Sequence, residues 1–466
     1  MHEAVPKTDA PTDVLDRFAG ATPELARLRA LRPELIELEQ RAYEVLFPVR
    51  TGLGSAAALG PATALGPATG SGPATGSGPA TGPGPAAGLG LAIGSGSATG
   101  SGPATSALTV PGTVTDTGVS VAERAAAALA VAVEHRRAPA VGHYRALLDT
   151  ATGETATADR IIARAPLDGD TATAATATTA TTTATATGAA TPGRIAAAVA
   201  HARLLTHTPA QGGLDALRAA GFTDPQIVTV SQTVAFVNHQ MQLAAGLALL
   251  ATGDSGTGTD PGAPSTTVAG GPRYTTDVLT WRPAIRPLAP GELGEEHRAA
   301  LAGKARVDTP YFRTLGHDLG ILAVRTAIDL AAFTAEGGLP RAERELAATA
   351  VSLYNGCVYC ASVHARLTAR LHGDPAPVRR FLAYGSTAVL GRRWKLITRL
   401  ATGLAPVPAT AAEADVEALR ELGLTELALV DLVHCAAFFG WANRLMLSLG
   451  SVEGEAQEHD GRQATE

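Results

Sequence analysis

The sequence predicts an all-α fold made of two tandem helical domains, the first degenerate, with insertions too simple in composition to fold. Three observations carry that prediction. Hydrophobic residues make up 45% of the 466-residue chain but aromatic ones only 4%. Such an alanine-dominated balance suits closely packed helices better than sheets, which favour Val, Ile, Tyr and Phe. Leucines recur at helical spacing behind recognisable N-caps. Two pairs of helical segments also repeat, in the same order, in the two halves of the chain.

Residues 12–48 read as helical. Thr22 caps a helix entered through Pro23 with Leu25, Leu28 and Leu31 on its stripe, and a second segment from Pro33 carries Leu35, Leu38, Tyr43 and Leu46. These N-terminal helices (1–50) are assigned to the first domain. Residues 51–118 are almost all Gly, Pro, Ala, Ser and Thr, with GPATGSG repeated. Too few large apolar groups are present to offset the entropy of ordering, so a disordered insertion is expected. The first domain resumes over 119–251, with Ser120 as cap and Glu123 in the first turn. It contains an Ala/Thr-rich tract at 168–192, a helix from Arg194, and two more divided at Gly221, the second restarting at Asp224-Pro225. Residues 252–273 read as a linker. The second domain spans 274–450, with helices expected at 292–305, 311–335, around Glu345, after Cys357, at 377–384, at 392–402 and up to 450. The acidic tail 451–466 is expected to be disordered.

VAERAAAALAVAV from Val121 is repeated as RAERELAATAVSL from Arg341, and DALRAAGFTDPQIVTVSQTVAFV from Asp215 as EALRELGLTELALVDLVHCAAFF from Glu417. Ala/Leu-rich helices resemble one another by chance, but the shared A-L-R-x-x-G-x-T turn is more than hydrophobicity. The copies differ chemically. Ala125 falls opposite Glu345, Arg137 opposite Cys357 and Ala140 opposite Cys360, and His143 lies one place short of the position of His364. The first half keeps the scaffold and lacks the dithiol.

The stretch Leu339–Leu371 concentrates the chemistry: Glu345, then Cys357 and Cys360 in a C-x-x-C, then His364. Asn355-Gly356 is a strong helix stop, so a new helix is expected at or near Cys357, placing that thiol in the first turn. The helix dipole there favours a thiolate. Cys357, Cys360 and His364 lie three and four residues apart and share a face. His364 can therefore accept the proton of Cys360, and Glu345 can orient His364 or pass the proton on. The same residues admit other readings. Two thiolates and an imidazole could hold zinc with a fourth ligand, for which His372 is the nearby candidate. The cysteines could be a buried pair, and Glu345 a solvated helix residue. Cys435, His434 and Trp441, in LVDLVHCAAFFGW, read as packing residues. Tyr359, between the cysteines, could shield the site or shape a pocket.

Composition narrows the function classes. A formal net charge of −6 with scattered basic residues argues against a nucleic-acid partner. The N-terminus MHEAVPKTDAPTDVLDRF lacks a signal-peptide pattern. No run of about eighteen uninterrupted apolar residues is present, so no membrane partner is expected. Three cysteines make no disulfide framework. A cytoplasmic protein is the expectation, where a C-x-x-C is redox-active or metal-binding.

The pattern Glu345-x11-Cys357-x-x-Cys360-x-x-x-His364 resembles that of the AhpD-like alkylhydroperoxidases within the carboxymuconolactone decarboxylase (CMD) superfamily. LPRAERELA and NGCVYCASVHAR look like the peroxidase-related branch. The resemblance is clearest over about 310–450, and the first half is similar to a degenerate copy. It implies an all-helical, usually homo-oligomeric thiol peroxidase without cofactor or metal, acting on a hydroperoxide. In such a cycle Cys360 would be the peroxidatic cysteine, Cys357 the resolving one, His364 the general base and Glu345 the proton relay. An external dithiol, in this family a protein-bound dihydrolipoyl group, would restore the reduced state. The chain departs from the family in having Val358 and Tyr359, and no histidine, between the cysteines, which bears on peroxide access and reductant choice. The helix-terminus argument favours Cys357 as the nucleophile and the resemblance favours Cys360; the place of His364, one turn from Cys360, decides for the latter. The competing functions are a redox-sensing or zinc-binding module without turnover, and a CMD-type decarboxylase that does not depend on the dithiol.

Overall fold

Capping residues set where the helices start. The structure, a computed structural model, describes residues 13–48, 117–164, 191–253 and 274–453. The insertions expected at 51–118 and 168–192, the linker at 252–273 and the tail at 451–466 lie, apart from their edges, outside the described residues. Within these lie nineteen α-helices and a two-stranded antiparallel sheet. The first half holds α1 (Val14–Ala19), α2 (Pro23–Arg29), α3 (Pro33–Leu46), α4 (Val121–Glu134), α5 (Ala138–Thr152), α6 (Ala156–Ile162), α7 (Pro192–His207), α8 (Leu214–Ala219) and α9 (Asp224–Thr252). The second opens with β1 (Trp281–Pro283), α10 (Glu295–Leu301), α11 (Lys304–Asp308), α12 (Pro310–Leu315) and α13 (Leu319–Thr334). It continues with α14 (Arg341–Tyr354), α15 (Val358–His372), α16 (Ala376–Tyr384), α17 (Arg392–Leu404), α18 (Glu413–Glu421), α19 (Glu426–Ser448) and β2 (Gly450–Val452).

Thr22 caps α2, and Ser120 with Glu123 closes a capping box at α4: Ser120 Oγ accepts from Glu123 N at 3.2 Å, and Glu123 Oε2 accepts from Ser120 N at 2.8 Å. Several boundaries differ from expectation. The helix expected over 292–305 is split between α10 and α11 at Ala302 and Gly303, both at positive φ. The one over 311–335 breaks before Asp318, whose side chain caps α13. Thr252 ends α9 instead of opening a linker, and Thr191 caps α7 where a simple tract was expected. The tail was expected to fray from 451, yet Gly450–Val452 pairs with Trp281–Pro283. That strand is anchored by the Trp281 indole, which donates to Met446 O at 3.0 Å.

The repeat is visible as geometry. Helices α4–α9 follow one another in the same succession as α14–α19. Glu123 pairs with Arg194 between α4 and α7, and Glu343 pairs with Arg393 between α14 and α17. Arg124 donates to Leu46 O at the end of α3 (3.0 Å), and Arg344 donates to Ala332 O in α13 (2.9 Å). The N-caps of α9 and α19, Thr223 and Thr425, share φ −74° and ψ 159°. The two long helices pack on each other at the centre of the molecule. Gly246 permits the approach, since a Cβ there would stand 2.5 Å from a Val433 methyl. Helix α9 is long and apolar enough to cross a membrane, but 94% of its most apolar window is buried within the protein, as in the core helix of a helical bundle.

One ionic cluster ties the halves together. Asp431 on α19 accepts from Arg32 Nε at 2.8 Å, Arg344 Nη2 at 2.8 Å and the Leu339 amide at 2.9 Å. All three charged side chains are buried. Removing one member of such a cluster leaves an uncompensated charge in the interior. Asp431→Ala is therefore expected to cost about 3–5 kcal/mol, read from urea denaturation of the full chain; a loss below about 1 kcal/mol would contradict this account of the cluster.

Candidate active site

The dithiol sits on the corner between α14 and α15. Helix α14 ends at Asn355, and Gly356 takes the left-handed conformation (φ 72°). Gly356 N donates to Leu353 O (3.2 Å) and Cys357 N to Ser352 O (2.9 Å). This closure satisfies the last carbonyls of a helix, and its left-handed residue is adopted most easily by glycine. Cys357 is the N-cap of α15, and Cys360 is its third residue. The expectation had Cys357 inside the first turn. The structure puts Cys360 there and Cys357 one step outside, because the closing turn consumes one more residue. Cys357 thus still stands at the positive end of α15, though without a side-chain cap hydrogen bond, while Cys360 lies inside the first turn. Neither cysteine is in a disulfide, and both are buried, each 1% exposed.

His364 follows Cys360 by one turn. Its Nδ1 lies 2.5 Å from Glu345 Oε2, while Arg341 Nε donates to Glu345 Oε1 at 2.6 Å. Glu345 is fully buried, so the reading of it as a solvated residue is set aside. Burial by itself raises its carboxyl pKa, but His364 and Arg341 outweigh burial and leave it below the ordinary carboxylate value. An ionised carboxylate only accepts hydrogen bonds. The imidazole then donates from Nδ1, and in its neutral form the acceptor nitrogen is Nε2. Phe439 meets the ring edge-on at 4.4 Å and Phe333 lies at 6.1 Å, bracing its orientation.

Two tyrosines flank the thiols. Tyr359 is pushed up to about 12, first by burial and then by Cys360. Tyr311 is driven well above its ordinary value by burial, with both cysteines adding to the effect against Arg325. The stretch from Tyr274 to Asp277 straps the corner. Tyr274 OH donates to Leu353 O at 3.1 Å, Ser362 Oγ to Asp277 O at 2.5 Å, and Arg366 Nη1 to Asp277 O at 2.7 Å. The sequence reading missed Arg341, Tyr311 and this strap. Arg341 carried a signal, four residues before Glu345 on one helix; the other two are brought in from outside the motif and carried none.

Other candidates resolve as packing. Cys435 is fully buried, its thiol pushed up by burial, with Sγ 3.6 Å from Ala332 O. Trp441 is buried and donates to Gln232 Oε1 at 2.9 Å, and His434 is buried beside it on α19. His372, the candidate fourth zinc ligand, stacks on Trp394 at 4.5 Å. Among the described residues no group of three or more His, Cys, Asp or Glu side chains is arranged to hold a metal ion.

The corner between α4 and α5 repeats the backbone closure, with Arg137 N donating to Ala132 O at 3.3 Å, but Arg136 (φ 54°) stands where the second half has Gly356. Ala125 replaces Glu345 and Tyr144 replaces His364. The Tyr144 phenol donates to Gln240 Oε1 at 2.7 Å, and the rings of Phe18 and Phe47 pack on it. That corner has no thiol and no acid–base pair.

Residues 320–395, which hold Glu345, both cysteines and His364, match the model of the carboxymuconolactone decarboxylase family. The match is confined to the segment that carries the dithiol. The family segment starts in α13 and ends in α17, so the first half of the chain lies outside it. Two solved structures are similar to part of the chain. One is an uncharacterized peroxidase-related protein from a Silicibacter species, at 26% identity, covering 31% of this chain and 75% of that one with a TM-score of 0.28. The other is described as an alkylhydroperoxidase AhpD core, an uncharacterized peroxidase-related protein from Ralstonia eutropha, at 26% identity, covering 34% of this chain and 84% of that one with a TM-score of 0.31. No curated protein matches the chain.

Proposed function

We infer that the protein is a thiol peroxidase of the AhpD type, reducing a hydroperoxide through a dithiol–disulfide cycle at Cys357 and Cys360. The observation that carries this reading is the buried Glu345–His364 pair, 2.5 Å apart, on the face of α15 that also bears Cys360. A buried glutamate–histidine pair is not by itself catalytic, since His239 and Glu39 make one at 2.7 Å in the core without a thiol; what distinguishes His364 is its place one helical turn from Cys360, where it can take a thiol proton. His364 Nε2 accepts the proton of Cys360, and Glu345 stabilises the imidazolium. The Cys360 thiolate attacks the terminal peroxide oxygen; the S–O bond forms, the O–O bond breaks, and the alcohol leaves with the proton held by His364. The resulting sulfenic acid is attacked by the Cys357 sulfur, which releases water and forms the disulfide. The balance is one hydroperoxide and two thiols in, one alcohol, one water and one disulfide out. An external dithiol of the dihydrolipoyl class then regenerates both thiols. The first half serves as a scaffold, and the tandem arrangement places two family-like units in one chain.

Intact-peptide mass spectrometry tests the reading. After one equivalent of cumene hydroperoxide, the peptide containing Cys357 and Cys360 is expected to lose the mass of two hydrogen atoms and to recover it with reduced lipoamide. An unchanged peptide mass, with the peroxide unconsumed, would sink the proposal. Turnover of a lactone acid by a variant lacking both cysteines would point to decarboxylase chemistry instead.

A further inference from the structure

A cavity of about 360 Å³ opens between the two halves, away from the thiols. Its lining comes from equivalent places in the two copies. Arg136 and Thr206 belong to the first, and Tyr354, Asn355 and Thr410 to the second, with Arg444 reaching in from α19. Pro406 and Val407 supply apolar wall.

Arg444 is the anomaly. It is 2% exposed, and its guanidinium donates only to main-chain carbonyls, Gly440 O at 2.8 Å and Thr206 O at 3.0 Å. Among the described residues no carboxylate pairs with it, and its Nε has no hydrogen-bond partner there. A buried unpaired charge is costly. The repeat shows that the scaffold does not require one. In the aligned helices Gln242 occupies the place of Arg444, and its neutral amide makes the mirrored contact, donating to Ala405 O at 3.0 Å. The charge is therefore surplus to the packing of the two halves. The nearby carboxylate, Glu134, is already engaged by Arg164 (2.8 Å) and His207 (2.9 Å). The exposed Arg136 adds a second cation to the same cavity, on a left-handed backbone position where the other copy uses Gly356.

We propose that this cavity binds a small organic carboxylate, its anionic group held by Arg444 and Arg136 and its apolar body lying on Pro406 and Val407. The volume falls within the range of small-molecule sites, and a buried cation beside the Pro406–Val407 wall suits an anion with an apolar body. The ligand would rest against Asn355, two residues before Cys357. The proposal stands independently of the peroxidase cycle.

Titration calorimetry of the full-length reduced protein tests it, with benzoate as probe, benzamide as its neutral counterpart and inorganic phosphate as the anion without an apolar body. Benzoate is expected to bind one per chain, benzamide and phosphate at least about tenfold more weakly. Arg444→Gln copies the residue of the other half and keeps a donor for the Thr206 carbonyl; it is expected to weaken benzoate binding about tenfold or more. Arg136→Gly copies Gly356, relieves the left-handed backbone, and is expected to weaken binding while the thermal midpoint holds or rises. If Arg444→Gln does not fold, Arg136→Gly decides alone. Binding of benzamide or phosphate as tight as that of benzoate, no benzoate heat at all, or unchanged affinity in the folded variants would overturn the assignment.

Discussion

Cys360→Ser is expected to reduce hydroperoxide turnover to the buffer rate, a fall on the order of 10³-fold or more, whereas Cys357→Ser is expected to complete a single turnover and stop. The difference follows from position. Cys360 lies in the first turn of α15, one turn before His364, whose Nε2 is left free by the Nδ1–Glu345 contact. Cys357 caps the helix and is committed through its amide to Ser352 O. Only the first has a base aligned along its own helix face. In Cys357→Ser the sulfenic acid at Cys360 has no resolving partner and is expected to accumulate, where dimedone captures it stoichiometrically. His364→Ala should slow the same step by about 10²–10⁴-fold, the usual worth of a positioned base. A reversed pattern, with one turnover in Cys360→Ser and none in Cys357→Ser, would reassign the nucleophile to the capping cysteine.

How much of this was legible beforehand depends on how local each feature is. The stop at Asn355-Gly356 could be read from two residues because glycine is the residue that takes the left-handed closing position at least cost. Its counterpart at Arg136 makes the same turn without glycine, so 119–150 reads as helix throughout and the corner between α4 and α5 stays hidden. The dithiol, His364 and Glu345 were readable because the first three follow one another from the N-cap of α15 into its first turns and the fourth precedes them by a fixed spacing. The strap from Tyr274 to Asp277 and the pairing of Trp281 with Val452 join segments far apart in the chain; three-residue strands carry no periodicity to announce them. The surplus charge on Arg444 becomes visible only when the structure sets it beside Gln242, since an arginine in an apolar helix is otherwise an ordinary amphipathic residue.

Glu345→Gln is expected to destabilise the protein and slow the chemistry together, in a way that pH separates. The carboxylate is fully buried and holds both Arg341 and His364. Replacing it by an amide keeps the shape and removes the charge, leaving a buried imidazole without its counter-ion. A loss of about 3–5 kcal/mol at neutral pH is the expected size for breaking such a pair. Arg341→Ala, by contrast, removes a partly exposed partner and should cost about 1 kcal/mol or less. The folded-state pKa of Glu345 lies below its ordinary value. Its contribution to stability is therefore complete above the unfolded carboxylate pKa and is lost as pH falls through the folded one. The wild-type stability should accordingly fall on acidification across that window, and Glu345→Gln should flatten this part of the curve. The rate of thiol oxidation should drop by about 10²–10⁴-fold, because the imidazolium formed when Cys360 loses its proton is no longer stabilised. A purely structural role would lower the denaturation midpoint and leave the pH–rate profile of the folded variant where the wild type has it; that result would remove Glu345 from the proton relay.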